Sequence, residues 1–380
     1  MKRLAALLVV PTLLLSACGE DTQPSAGETP TAGETSGSPE ESPEESPSAS
    51  ASESVEAPRS GPPEVLGTVA RGLEAPWGIA FLPDGSALVT ERDTERVFQV
   101  GDGEVRQVGT IGQAAPGGEA GLLGLAVSPS FEDDARVFFY LTTDTDNRVL
   151  RGTFRDGEVG GLEPILTGIP KNTYHDGGQL AFGPEDEQLY VATGDAGDPD
   201  LAQDRESLAG KVLRVDQDGE PSRGNPGGSP VWSYGHRNVQ GLAFDDRGRL
   251  WASEFGQDTF DELNLIVRGG NYGWPLAEGR GGPEGTIDPE VQWATDDASP
   301  SGLAFAGGRL WMAALRGERL WRIGVDADGA TDDRAFLEGE HGRLRLAAAA
   351  PDGNLWVATS NRDGRGEPAD DDDRILLLRP

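Results

Sequence analysis

A short apolar strand, a turn and a second apolar strand recur six times in this 380-residue chain. The copies are PWGIAFLPDGSALVTER from Pro76, GLLGLAVSPSFEDDARVFFYLT from Gly121, GGQLAFGPEDEQLYVATG from Gly177, VQGLAFDDRGRLWASEFG from Val239, PSGLAFAGGRLWMAALRG from Pro300 and LRLAAAAPDGNLWVATSN from Leu344. Their spacing, roughly 45 to 60 residues, is that of propeller blades. Pro-Asp-Gly and Asp-Arg-Gly supply the bends that hairpins need. The strands are short, rich in β-branched residues and Trp, and no long helical period appears. The pattern predicts an all-β domain over 61–380, a six-bladed propeller of four-stranded antiparallel blades. A parallel β-helix would need shorter, more regular repeats. Ring closure should pair Arg374–Leu378 with a strand near Val65–Val69, leaving few open edges. Function is then expected in the loops that reach the axis at one face.

The charge balance narrows the partners. Lys and Arg number 32 and Asp and Glu 65, a net charge of −33. Such a chain gains nothing from counterion release on nucleic acid, nor from charge attraction to an anionic membrane.

The first sixty residues read differently. Lys2 and Arg3 precede the apolar run Leu4 to Leu15, which is too short for a comfortable membrane span. It ends in LSAC, and Cys18 is the only cysteine, so no disulfide holds the domain. The segment resembles the signal peptide and lipobox of bacterial lipoproteins. That resemblance implies a signal peptide over 1–17, diacylglycerol on Cys18, and an extracytoplasmic protein joined to the cell membrane by its lipid alone. Residues 18–60 are almost entirely Ser, Pro, Glu, Thr, Gly and Ala with no aromatic residue, the composition of a disordered tether.

Polar residues gather before the repeats. All three histidines lie there: His175 in NTYHDGGQLAFG, His236 in GHRNVQGLAF and His341 in EGEHGRLRLAAAAPDG. Arg237, Arg343 and Arg345 share those segments, and Arg316 follows the fifth repeat. Arginines pooled in one pocket of so acidic a chain point to a ligand with several carboxylates or phosphates. Asp258, Asp261 and Glu262, near glycine-rich turns, are candidates for a hard-oxygen site that suits calcium. His/Cys spacing for zinc is absent, and no GxSxG elbow, phosphate loop or dinucleotide fingerprint stands in a suitable context.

The segments EAGLLGLAVSPSF, HDGGQLAFG, GKVLRVDQDG, GHRNVQGLAF, DELNLIVRGGNYGWP and GRLRLAAAAPDG together resemble the pyrroloquinoline quinone (PQQ) glucose and aldose sugar dehydrogenases, grouped as glucose/sorbosone dehydrogenases. The resemblance implies oxidation of an aldose at C1 to the lactone, with hydride passing to the quinone C5 and electrons going on to an external acceptor. It implies His175 as the base that takes the anomeric hydroxyl proton and Arg237 beside the reacting quinone carbonyl. Asn238, Arg316, Arg343 and Arg345 would bind the cofactor, Arg316 standing where the family often has Lys. Main-chain carbonyls of Gly256 and Gln257 would hold a catalytic calcium, and Glu262 with the Tyr272 carbonyl a structural one. His236 would brace its loop, and His341 is a candidate pocket residue.

Three departures from the glucose enzymes touch the substrate side and the rim. Glu119 replaces Gln, Tyr174 replaces Asp, and GDAGDPDLAQDRESLAGKVLRV is short where those enzymes carry an insertion. Glucose preference and dimerisation therefore do not carry over. The competing readings are a calcium-dependent lactonase-like hydrolase, which would not need the arginines, and a non-catalytic extracellular binding propeller, which would not need the base.

Overall fold

In a computed structural model of the protein, residues 61–380 are described; Cys18, the signal segment 1–17 and the tether through residue 60 lie outside them. The described chain forms six four-stranded antiparallel sheets. Their inner strands are Pro76–Phe81, Leu122–Val127, Leu180–Phe182, Val239–Phe244, Pro300–Ala306 and Leu344–Ala349, one from each repeat. Each inner strand packs against those of the blades before and after it, so the blades form a closed ring. Closure occurs where the sequence predicts. Glu64–Ala70 pairs antiparallel with Ile375–Arg379, Val65 opposite Leu378, and becomes the outer strand of blade six.

The repeated Gly of GLAF-like segments has a physical cause at the axis. A Cβ on Gly124 would collide with the carbonyl of Gly178, one on Gly241 with the carbonyl of Ser301, and one on Gly302 with the backbone of Leu346. Neighbouring inner strands approach too closely there for a side chain. The hairpin turns at the far end reuse one device. The N–H groups of Ser86, Arg247 and Asn354 donate to the carboxylates of Asp84, Asp245 and Asp352 at 2.9, 3.0 and 3.0 Å. Each turn carries a left-handed glycine, Gly85, Gly248 or Gly353.

Six apolar clusters fill the six blade interfaces. Trp251 and Trp311 are wholly buried in two of them, each contributing on the order of 2–3 kcal/mol of apolar burial. Register then sets the working face. Pro76 pairs with Glu91, Leu180 with Val191, Val239 with Glu254 and Leu344 with Thr359. The loops entering inner strands and the residues following second strands therefore share one end of the ring.

Candidate active site

His175 enters blade three with φ of +60°, a left-handed conformation that costs a non-glycine residue about 1–3 kcal/mol. Its N–H donates to Glu119 Oε2 at 3.0 Å, and its carbonyl accepts the Ala196 N–H at 3.1 Å. The ring is held as firmly: His175 Nδ1 lies 2.8 Å from Oδ1 of the buried Asp195. A carboxylate on Nδ1 makes that nitrogen the donor and leaves the lone pair on Nε2. Nε2 has no partner among the described residues, and the side chain is 15% exposed. The imidazole is thus held in one orientation, with its Nε2 lone pair available to accept a proton. Tyr174, 43% exposed, stands edge-on to the imidazole with ring centres 4.8 Å apart.

Glu119, Arg237 and Asn238 adjoin that base. Asn238 accepts the Gly177 N–H at 3.0 Å and donates to Glu119 Oε2 at 3.3 Å. The second Glu119 oxygen lies 3.6 Å from Nη1 of Arg365, a half-exposed residue of the blade-six loop. Arg237 donates through Nη1 to the carbonyls of Gly256 at 2.6 Å and Phe255 at 3.3 Å. Its Nε is buried with no partner. Burial pulls the Arg237 guanidinium below its ordinary value, against the nearby charges of Asp195, Glu119, Glu278 and Glu254.

Arg345 shows the same imbalance more strongly. It is 3% exposed, and its Nη1 donates to neutral partners, Gln240 Oε1 at 2.6 Å and Ser301 Oγ at 3.0 Å. Its Nε is also unpartnered. Burial, with Arg92 and Arg343 close by, pulls it down to about 9, while Asp363 and Glu119 oppose the shift. Arg343 pairs with Asp363 at 3.0 Å, and the buried Arg92 with Asp93 at 2.7 Å. A buried cation without a counterion is costly. The cluster is suited to an anion entering from the axis. Arg316 is on the same face but apart from this group: it is exposed and pairs with Asp296 at 2.7 Å.

His236 is wholly buried, bonded through Nδ1 to Glu254 at 2.8 Å and through Nε2 to Ser233 at 2.9 Å. It stacks on Tyr272 with ring centres 4.6 Å apart. Glu254 also accepts the Arg237 N–H at 2.5 Å, so this His does support the loop that carries Arg237. His341 is half-buried, and neither ring nitrogen has a partner.

The acidic residues near the glycine-rich turns do not converge. Adjacent strand residues point to opposite faces. Asp261 accepts the N–H groups of Gly256 at 2.9 Å and Ser299 at 2.6 Å, whereas Glu262 accepts those of Gly279 at 2.7 Å and Asn264 Nδ2 at 3.0 Å. Burial and the neighbouring Glu254 push the Glu262 carboxyl well above the usual range. Asp258 lies on the exposed turn at Gln257–Phe260, whose four N–H groups all donate to Glu278 Oε1. No group of three or more His, Cys, Asp or Glu among the described residues is arranged to hold a metal.

Sequence reasoning missed Asp195, Trp274, Arg92, Gln240 and Ser301. A signal existed for the first. Asp195 follows the second strand of its blade as Glu254 nearly does in blade four, and each meets a His from the loop before the inner strand.

Known proteins resemble this chain across the whole ring. The family model described as glucose / sorbosone dehydrogenase matches residues 73–377. The PQQ-bound aldose sugar dehydrogenase of Streptomyces coelicolor superposes with a TM-score of 0.82 at 53% identity, over 85% of this chain and 99% of that one. A putative oxidoreductase (glucose dehydrogenase) of Thermus thermophilus gives a TM-score of 0.77 at 42% identity, covering 82% of this chain and 98% of that one. Aldose sugar dehydrogenase YliI of Escherichia coli is 31% identical over 331 residues, 77% of this chain and 89% of that protein. With its domain matched almost end to end, the chain belongs to the glucose/sorbosone dehydrogenase family.

Proposed function

We propose that this protein is a PQQ-dependent aldose sugar dehydrogenase that oxidises the C1 hydroxyl of an aldose to the lactone and passes the electrons to an external acceptor. One observation carries the reading. An oriented, open histidine base shares a face with buried guanidiniums, Arg345 and Arg237, whose Nε atoms lack partners. A hydrolase has no use for those cations, and a binding module has no use for the base.

The residues fit a quinone bearing several carboxylates. Arg345, Arg343 and Arg92 offer charge and donors, and Asn238, bonded to the Gly177 N–H and to Glu119, is a further hydrogen-bonding partner. When bound, the cofactor supplies the acceptor for the hydride leaving C1. His175 Nε2 takes the proton of the C1 hydroxyl, which leaves both electrons of its O–H bond available to form the carbonyl. Asp195 stabilises the imidazolium that results. Arg237 keeps a fixed positive charge beside the acceptor. Glu119 and Tyr174 line the substrate side. Arg316, already paired with Asp296, is a rim contact in this scheme.

Calcium belongs to the proposal as a hard-oxygen cation on the Gly256 and Gln257 carbonyls. Arg237 Nη1 bonds the first of these at 2.6 Å, so cation and arginine compete for one acceptor. A second cation beside Glu262 and the Tyr272 carbonyl would relieve the repulsion between Glu262 and Glu254. Export and anchoring through Cys18 complete the reading; a Cys18→Ser chain should leave the membrane fraction.

The test is a titration of the purified protein with PQQ, with and without calcium, followed by a panel of aldoses and a reducible dye. Saturable binding and sugar-dependent dye reduction support the proposal. Failure to bind the quinone in excess calcium overturns it.

A further inference from the structure

We propose that Trp274 is a positioning residue that couples the His175–Asp195 dyad to Arg237. The reaction it serves rests on the dehydrogenase reading above; the geometry does not. Trp274 Nε1–H donates to Asp195 Oδ2 at 2.9 Å. The other oxygen of that carboxylate takes His175 Nδ1 at 2.8 Å and the Gly197 N–H at 2.7 Å. The Arg237 guanidinium carbon lies 5.5 Å from the indole centre, and the Arg237 carbonyl accepts the Asp195 N–H at 2.7 Å. One ring therefore touches both the carboxylate that orients the base and the cation opposite it.

The backbone explains how a tryptophan from blade four arrives there. The segment 269–274 runs along the outer strand of blade three, Val231–Tyr234. Gly269 N–H donates to Trp232, Tyr234 N–H to Gly270, Tyr272 N–H to Tyr234 and Trp274 N–H to Gly235, at 2.7, 3.0, 2.9 and 2.9 Å. The Trp274 carbonyl accepts Gln203 Nε2 at 2.6 Å. With both sides of its peptide pinned, the indole cannot follow Asp195 if the carboxylate turns.

Its chemistry suits the role. Indole N–H is a donor only, so it fixes Asp195 as an acceptor and cannot take the base's proton. Its face attracts the guanidinium. Hydrogen-bond partners of metal-bound histidines, one bond removed from the reacting group, are typically worth about 10–100-fold in activity, and a comparable factor is expected for this donor to the base's carboxylate.

Trp274→Phe keeps an aromatic ring and removes the N–H. We expect kcat to fall by about tenfold or more, with the sugar KM and quinone affinity little changed. Trp274→Phe combined with Asp195→Asn should be no slower than Asp195→Asn alone. A second readout needs no cofactor: the Nδ1–H proton resonance of His175, in a chain with three histidines, should move in Trp274→Phe while that of His236 stays. An unchanged kcat, or multiplicative effects of the two substitutions, would overturn the proposal. If the wild-type protein oxidises no sugar, the dehydrogenase reading fails separately, and the NMR arm decides alone: an unmoved His175 resonance sinks the coupling, a moved one upholds it.

Discussion

Blades three and four each pair a histidine from the loop before the inner strand with a carboxylate beyond or at the end of the second strand. His175 meets Asp195 and His236 meets Glu254, both at 2.8 Å. The difference lies in the other ring nitrogen. His236 Nε2 bonds Ser233 and the residue is sealed under Tyr272. His175 Nε2 is unpartnered among the described residues and its side chain is 15% exposed, on a backbone in a left-handed conformation. The same pair is closed off when both nitrogens are used and keeps an acceptor lone pair available when one is left free. Strain is tolerated only at the second.

The comparison can be broken most sharply at the two histidines themselves. His175→Ala is expected to lower kcat by about 10²–10⁴-fold while leaving quinone binding nearly intact, read by dye reduction and spectroscopic titration. His236→Ala should instead act on stability: it removes one donor from the buried Glu254, which keeps the Arg237 N–H and Asn264 Nδ2, a loss of about 1–3 kcal/mol in unfolding free energy measured in urea. Arg345→Met separates binding from stability. Removal of an uncompensated buried cation should raise the melting temperature of the cofactor-free protein, yet cost about 2–5 kcal/mol of quinone affinity in a spectroscopic titration.

The smallest effect concerns Asp176, beside the base. Burial first, with Glu119 adding, pushes its carboxyl up to about 6 against hydrogen bonds from Asn172 and Asn147, and its Oδ2 is unpartnered. A carboxyl raised on folding stabilises the fold fully below its ordinary value of 3.8 and loses that stabilisation as pH rises through about 6. Unfolding free energy measured from about pH 4.5 to about 7.5 should therefore fall more steeply in the wild type than in Asp176→Asn. The difference expected across that window is on the order of 1–3 kcal/mol.

The ring was legible because its signals are local. Each hairpin sits within one repeat, the turn residues name the bends, and the glycines of the inner strands mark where blades nearly touch. The loops that line the axis were legible for the same reason, since they precede equivalent strands. The partners within the site were not. Trp274 and Asp195 are 79 residues apart, and Glu119 and Asn238 are 119 apart. Their meeting depends on the curvature of the ring and on the segment laid along blade three. Repeat position also assigns a face without assigning a radius. Arg316 and Arg345 both lie on the working face, yet one pairs with Asp296 in solvent and the other is buried at the axis. Proximity in sequence misled at Asp261 and Glu262, which strand alternation sends to opposite sides.

The most direct test of the account is a single turnover at matched quinone occupancy. Protein saturated with PQQ and calcium is mixed with an aldose, and the quinone absorbance is followed in the wild type, His175→Ala and the mildest folded substitution of His236. Rapid loss of the oxidised quinone band is predicted in the wild type, with that rate retained when His236 is replaced and nearly abolished when His175 is replaced. Equal rates with and without His175, or no sugar-dependent change in a quinone-loaded wild type, would contradict it.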